Sequence, residues 1–301
     1  MSVATTLRHV GWATLVLVAV ASSPAGADAL AGLAPGPTDD ARLAVAIGPA
    51  GQVYEPDGKG AWARTQRFAI ATPVATVARG TSGVIASGGG AVYRLAANGW
   101  TAARLGQKAG KSLAGTGPRA LAARGRDLFD LDRPGGEPVK IATAAAPITA
   151  IGGDAIATER GLARLAHGKL VAVRDAPHVR PISARWGLTD RGAFDLSAGK
   201  AIPWPTGTTI AAAATSPDGA LIAVSTQGEL ITVSGERLAR GPIPLDRPGT
   251  AVGVVADRAG RIAVAFEDGR IAVRDHDRWT IATVEERLPA PRPGGPPATS
   301  P

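Results

Sequence analysis

In residues 261–279 the larger apolar side chains fall on every second position: Ile262, Val264 and Phe266, then Ile271 and Val273. Period two is the signature of a half-buried strand, and Asp268-Gly269 between the two runs carries tight-hairpin chemistry. One hairpin cannot shield its own apolar faces. The chain supplies six more, each marked by a turn glycine: Gly51, Gly90, Gly125, Gly161, Gly192 and Gly228 precede Gly269 at separations of 39, 35, 36, 31, 36 and 41 residues. An apolar run precedes each glycine and a short alternating run follows most of them, as in Val53-Tyr54, Val92-Tyr93 and Leu230-Ile231-Thr232-Val233. A second turn comes seven to eleven residues later, as at Asn98-Gly99-Trp100 and Gly168. A further apolar segment opens many of the units, at 74–77, 148–151, 210–214 and 252–255. Each repeat then holds four short strands, A to D. Four-stranded units at this period predict an all-β protein, a seven-bladed β-propeller of antiparallel blades. Counts of six or eight stay open because units 112–143 and 179–204 are the weakest copies. A parallel β-solenoid would show shorter periods and fewer hairpins. The alanine-rich A segments suit innermost strands that crowd around an axis.

The ends read differently. Residues 1–27 carry Arg8 and His9, an apolar run at 10–20 and a small-x-small Ala25-Gly26-Ala27, the pattern of a cleaved export signal. That run is about half of the ~20 residues a bilayer span needs. A first strand is expected at 29–34, a propeller domain over 28–285, and a solvated tail over 286–301, whose last fourteen residues include six prolines.

Several of these turns resemble known propellers. Thr215-Ser216-Pro217-Asp218-Gly219-Ala220-Leu221-Ile222-Ala223-Val224 resembles the blade opening of WD-repeat-like bacterial propellers, and Arg258-Ala259-Gly260-Arg261-Ile262 is a weaker copy. Thr158-Glu159-Arg160-Gly161-Leu162 and Thr189-Asp190-Arg191-Gly192-Ala193 resemble a turn of bacterial sensor ectodomains. The turns at 57–62 and 98–100 resemble those of Asp-box propellers, which include sialidases and photosystem-assembly factors. The Trp-Asp pair that ends a WD repeat is missing and no full Asp box is present. The resemblance therefore implies the bacterial WD-repeat-like seven-bladed superfamily and its fold, and no particular function.

Composition narrows the chemistry. The chain has 301 residues, 39 Gly, 24 Pro and no Cys, so disulfides, thiolate metal sites and cysteine nucleophiles are excluded. The formal charge is +8, and loss of Arg8 with the leader leaves +7. Arginine outnumbers lysine 27 to 6, spread along the whole chain without a recognition helix or stacking aromatics, which argues against a nucleic-acid partner.

Catalytic motifs fail on their surroundings. Gly106-Gln107-Lys108-Ala109-Gly110-Lys111-Ser112 has one residue too few for a phosphate loop and no helix after it. Gly115-Thr116-Gly117 lacks a strand-helix-strand unit around it. Ser197-Ala198-Gly199-Lys200 has serine-x-x-lysine spacing but falls in a hairpin turn, where a helix turn is required. Of the histidines after the leader, His167 and His276 fall in C-to-D turns and His178 in a D-to-A loop on the opposite face, so they do not converge on a metal. No cofactor is expected. Trp62, Trp100 and Trp279 occupy equivalent positions and are expected to pack between blades. Trp204, in Pro203-Trp204-Pro205, is either an exposed contact anchor or packed under its loop.

One asymmetry has two readings, a basic face that binds a partner or exposed loops that are simply where charges sit. The D-to-A loops hold Arg64, Arg67, Lys108, Lys111, Arg174, Arg180, Arg240 and Arg247, against fewer acids such as Asp175 and Asp246. Such a face draws an anionic partner by long-range steering. The expectation is an exported, monomeric binding or scaffold module, periplasmic or secreted, presenting these residues and Trp204 to a protein or an anionic polymer. A propeller hydrolase or lyase with its site in the axial funnel, and a sensor-type domain, are the alternatives. Carboxylates, or a carboxylate with a histidine, meeting in the funnel would favour the enzyme.

Overall fold

The computed structural model describes residues 29–36, 43–57, 61–65, 70, 73–80, 83–88, 91–96, 99–103, 105, 112–115, 120–132, 137–173 and 178–285. The expected leader and tail lie outside them, as do Arg67, Lys108, Lys111, Arg174 and the segment 106–111. No helix of the described residues is long and apolar enough to cross a membrane.

The strands follow one another as four-strand antiparallel meanders. The first comprises β1 (Gly32–Pro35), β2 (Ala44–Ile47), β3 (Val53–Pro56) and β4 (Trp62–Arg64). The second has β5 (Thr76–Gly80), β6 (Gly83–Gly88), β7 (Ala91–Ala96) and β8 (Gly99–Ala103). In the third are β9 (Ser112–Gly115), β10 (Leu121–Arg124), β11 (Asp127–Asp130) and β12 (Val139–Thr143). The fourth runs through β13 (Ile148–Gly152), β14 (Ala155–Thr158), β15 (Gly161–Ala166) and β16 (Lys169–Ala172). The fifth is the thinnest, with β17 (Arg180–Pro181), β18 (Trp186–Leu188), β19 (Gly192–Asp195) and β20 (Lys200–Pro203). The sixth contains β21 (Ile210–Thr215), β22 (Leu221–Ser225), β23 (Glu229–Ser234) and β24 (Arg237–Pro242). The seventh closes the series with β25 (Ala251–Ala256), β26 (Ile262–Phe266), β27 (Arg270–Asp275) and β28 (Arg278–Glu285).

Five of these meanders stand as separate four-stranded sheets. The first and seventh share one eight-stranded sheet, in the order β1-β2-β3-β4-β28-β27-β26-β25. There β4 and β28 meet in parallel over two residue pairs, Val284 opposite Trp62 and Glu285 opposite Ala63. The first strand begins later than the sequence predicts, at Gly32 rather than Ala29, because Ala-Leu-Ala-Gly-Leu-Ala has no polar alternation to mark its register.

The turn glycines explain the hairpins. Gly269 sits at φ 85°, a left-handed conformation that costs other L-residues about 1–2 kcal/mol, and its N–H donates to Phe266 O at 3.1 Å. Gly51, Gly125 and Gly228 repeat it at φ 79°, 60° and 79°. His167 and His276, in the C-to-D turns, take φ 49° and 56° without being glycine.

The core lies between neighbouring meanders, not inside any one of them. A cluster of buried apolar residues fills every junction, including one that joins Leu33, Tyr54 and Trp62 of the first meander to Val255, Ile271 and Val284 of the seventh. The smallest, between the fourth and fifth, rests on Ala155, Leu162 and Val179. Phe266, at 0% exposure, contributes roughly 1.5–3 kcal/mol by burial alone.

Strands β1, β5, β9, β13, β17, β21 and β25 form the inner wall of the ring. Neighbours along this wall pack side by side, except that packing between β17 and β21 is slight. Small residues allow the crowding where β1 meets β25. A Cβ placed on Gly253 would lie 2.6 Å from the Leu33 amide nitrogen, a backbone atom that cannot step aside. Gly253→Ala is therefore expected to cost about 1–3 kcal/mol, read as a lowered urea midpoint. An unchanged midpoint would mean that β1 does not rest on β25.

The outer strands hold the second departure from expectation. Arg64 and Arg240 belong to β4 and β24, not to D-to-A loops. An outer strand buries only one face, so its apolar alternation is too weak to show how far it runs. Lys140, Lys169, Lys200, Arg237 and Arg240 all stand on outer strands, where charge discourages edge-to-edge pairing with another sheet.

Candidate ligand-binding face

Each A strand leads away from its D-to-A loop, so D-to-A loops and B-to-C turns share one face and the other turns share the opposite face. Of the arginines expected in D-to-A loops, only Arg247 occupies one among the described residues; Arg64 and Arg240 lie on outer strands and Arg180 on the inner strand β17. Arg247 is paired with Asp268 at 3.8 Å, and Arg240 with Glu229 at 3.9 Å. In the B-to-C turns Arg191 faces Asp190 at 3.9 Å with both side chains largely exposed. Arg67, Lys108, Lys111 and Arg174, also expected on this face, lie outside the described residues.

Trp204 is buried at 8% exposure, in the cluster between the fifth and sixth meanders with Trp186, Leu188 and Leu221. Its backbone N–H donates to Arg191 O at 2.9 Å, which folds the loop onto the B-to-C turn. Its indole N–H has no partner among the described residues. The alternative of packing under the loop describes it. The other tryptophans bridge or fill junctions: Trp100 Nε1 donates to Gly51 O at 2.6 Å, and Trp186 Nε1 to Gly219 O at 2.8 Å.

Arg270 is the centre of the face at the seventh meander, and sequence reasoning missed it. Its side chain is only 7% exposed. It donates to Asp268, to Asp246 Oδ1 at 2.8 Å, to Arg247 O at 2.9 Å and to Pro248 O at 3.0 Å, and lies 5.7 Å from the Phe266 ring centre. These contacts fasten the D-to-A loop at 243–250 to the turn at Asp268.

Arg180 is the remaining cation on the inner wall at this face. It pairs in register with Leu188, next to the B-to-C turn. Burial alternates along this segment: Val179 and Pro181 are buried, while His178 and Arg180 are exposed. Val179 packs with Ala155 and Leu162 of the fourth meander, so Arg180 takes the other side of the strand, and His178 stands exposed at the bend before it. Solvent reaches Arg180, yet the protein around it desolvates the guanidinium and lowers its pKa below the ordinary arginine value. Neither the His178 nor the Arg180 side chain has a hydrogen bond or ion pair among the described residues. The polar-apolar alternation of His178-Val179-Arg180-Pro181 was the available sequence signal.

The inner strands carry neither Asp, Glu nor His; Arg79 and Arg180 are their charged residues. Arg79 donates to Pro35 O at 2.8 Å. The serine-x-x-lysine segment is a hairpin turn, capped by Asp195, which accepts from the Ser197 and Ala198 N–H groups at 2.9 and 3.0 Å. Burial works to raise the Asp195 pKa, but the Ser197 and backbone hydrogen bonds with Arg185 outweigh it and the carboxyl sits below its usual value. Lys200 points away to Glu236 at 2.5 Å.

On the opposite face a cleft of about 680 Å³ opens between the sixth and seventh meanders, lined by Asp218, Asp257, Arg258, Arg274 and His276 among others. Most of its charges serve local turns. Ser216 donates to Asp218, whose pKa this bond lowers, Arg261 holds Asp257 at 2.7 Å, and Arg274 Nε donates to His276 O at 2.7 Å.

The fold and this arrangement define an all-β propeller built of small antiparallel sheets. No family model matches the sequence, and no curated relative does. Solved structures do. The chain is similar to the WD40 β-propeller domain of Doa1, with TM-score 0.61, 10% identity and coverage of 84% of this chain and 94% of that one. It is also similar to an extracellular domain described as that of a one-component system from B. thetaiotaomicron, with TM-score 0.56, 14% identity and coverage of 82% of this chain and 38% of that one. A domain described as part of a hybrid two-component system from the same organism gives 0.55, 14%, 83% and 38%. The chain spans well under half the length of these last two. At such identities the likeness concerns the fold.

Proposed function

We propose that this is an exported, monomeric seven-bladed propeller that works as a binding or scaffold module in the bacterial envelope. The eight-stranded sheet counts as two blades, because its halves share only two parallel residue pairs and are each complete antiparallel meanders. The pattern of residues 1–27 supports export, to the periplasm or beyond. The observation that carries the functional reading is the inner wall: with no carboxylate or histidine on its strands, it offers a partner shape and positive charge rather than an acid-base pair. The mechanism is presentation of a rigid loop-lined face, with Arg67, Lys108, Lys111, Arg174, Arg180 and Arg247 steering an anionic protein or polymer toward it. A second reading, a sensor-type domain for a small ligand, is favoured by the open side of β17 where His178 and Arg180 stand.

The test compares two charge-reversed forms in recovery of partners from envelope extract. Lys108→Glu/Lys111→Glu/Arg191→Glu alters the proposed face; Arg237→Glu/Arg258→Glu/Arg278→Glu alters the outer strands and the opposite face. Loss of partners with the first set alone is expected. Equal recovery by both, or loss with the second alone, would sink the reading.

A further inference from the structure

The fifth meander departs from the others where it meets the axis. Its inner strand has two residues against four to six elsewhere, and β17 barely touches β21. The junction is bridged lower down instead, where Ile182, Ile210 and Ala213 pack against one shared buried cluster. The wall is therefore thinnest on the side of β17 from which Arg180 projects, next to the exposed bend at His178. Both side chains are exposed, and both lack a partner among the described residues. An unpaired guanidinium that protein surrounds and solvent still reaches keeps all five of its N–H donors for something else. The acid nearest in that meander's B-to-C turn, Asp190, is 85% exposed and turned to Arg191. A third unused donor belongs to the same junction: the Trp204 indole N–H, buried and without a partner among the described residues.

We propose that His178 and Arg180, at the open junction between β17 and β21, form a binding site for a compact oxyanion, a carboxylate or a phosphate group. This rests on the reading of that face as the partner-binding one, and names the chemistry it recognises. Arg180 supplies the planar fork that matches two oxygens of either group. His178, two residues earlier at the bend that leads into β17 and likewise exposed, supplies a further donor from its ring. No other charged side chain of the described inner strands stands at this end of the wall, since Arg79 lies toward the opposite face, opposite Val84 in register. The ligand is therefore held by one spot on the rim rather than by a ring of cations.

The experiment is calorimetric titration of the full mature chain with inorganic phosphate in one arm and acetate in the other. The variants are Arg180→Gln, His178→Gln and the outer-strand control Arg237→Gln, each checked for an unchanged circular dichroism spectrum. Saturable binding in one arm or both is expected, and the arm that responds identifies the oxyanion. Arg180→Gln should weaken it at least tenfold, His178→Gln by a smaller factor, and Arg237→Gln not at all. No saturable response in either arm, or equal affinity in Arg180→Gln, overturns the proposal. Binding that depends on Arg180 upholds it even where envelope partners ignore charge reversal of the face, and that combination would remove only the wider scaffold reading.

Discussion

Arg270→Met is expected to destabilise the protein more than any other surface-loop change, by about 3 kcal/mol. The substitution keeps the stem that covers Phe266 and removes the guanidinium that Asp268, Asp246 and two carbonyl oxygens share. Those acceptors are left around a site that is 7% exposed. The figure sits at the low end of the range for breaking a buried pair because Asp246 is 79% exposed and Asp268 35%, and both regain water. Denaturant unfolding monitored by tryptophan fluorescence measures it; a loss below about 1 kcal/mol would mean that the loop at 243–250 does not depend on this arginine. The same substitution changes the response to acid. Burial acts to raise the Asp268 pKa, but the hydrogen bonds and charge of Arg270 outweigh it and hold the carboxyl below 3.8. A depressed carboxyl contributes stability that is complete above its unfolded pKa and fades as pH falls through the lower folded one. Wild type should therefore lose part of its margin over the variant below about pH 4, and a constant difference between pH 7 and pH 3 would show the pair to be idle.

Trp186→Ala should cost about 3–5 kcal/mol. Trp186 is fully buried at the head of β18, and its N–H reaches across to Gly219 O in the next meander at 2.8 Å. Arg185 lies over its ring at 4.9 Å while holding Asp195 at 3.1 Å. One side chain thus ties the thinnest meander to its neighbour. Trp186→Phe separates the contributions: it keeps most of the volume and loses the hydrogen bond, and should cost only about 1–2 kcal/mol including the acceptor left bare. If both substitutions cost the same, the bond across the junction outweighs the packing, contrary to expectation.

The repeat was legible in the sequence because turns are local. Gly51, Gly125, Gly161, Gly192, Gly228 and Gly269 all fall at the B-to-C turns where their spacing puts them; Gly90 lies outside the described residues. Tertiary pairing is less local, and there the reading fell short. Arg64 and Arg240 looked like loop residues because an outer strand buries one face and shows little alternation. Arg270 looked like an ordinary hairpin residue, since its partner Asp246 comes 24 residues earlier and only folding brings them together. The exposure of Arg180 depends on β17 stopping after two residues beside β21, which begins at Ile210 and leaves no trace in the residues near Arg180.

No meander lends a strand to another: each is finished before the next begins, and among the described residues the circle is shut by lateral packing, the Leu30 N–H to Glu267 O hydrogen bond and the two residue pairs at Val284 and Glu285. Tension applied through the two ends would consequently fall first on that short seam, like a zip with two teeth. The molecule would part there and unravel one module at a time, each step releasing a similar length of chain.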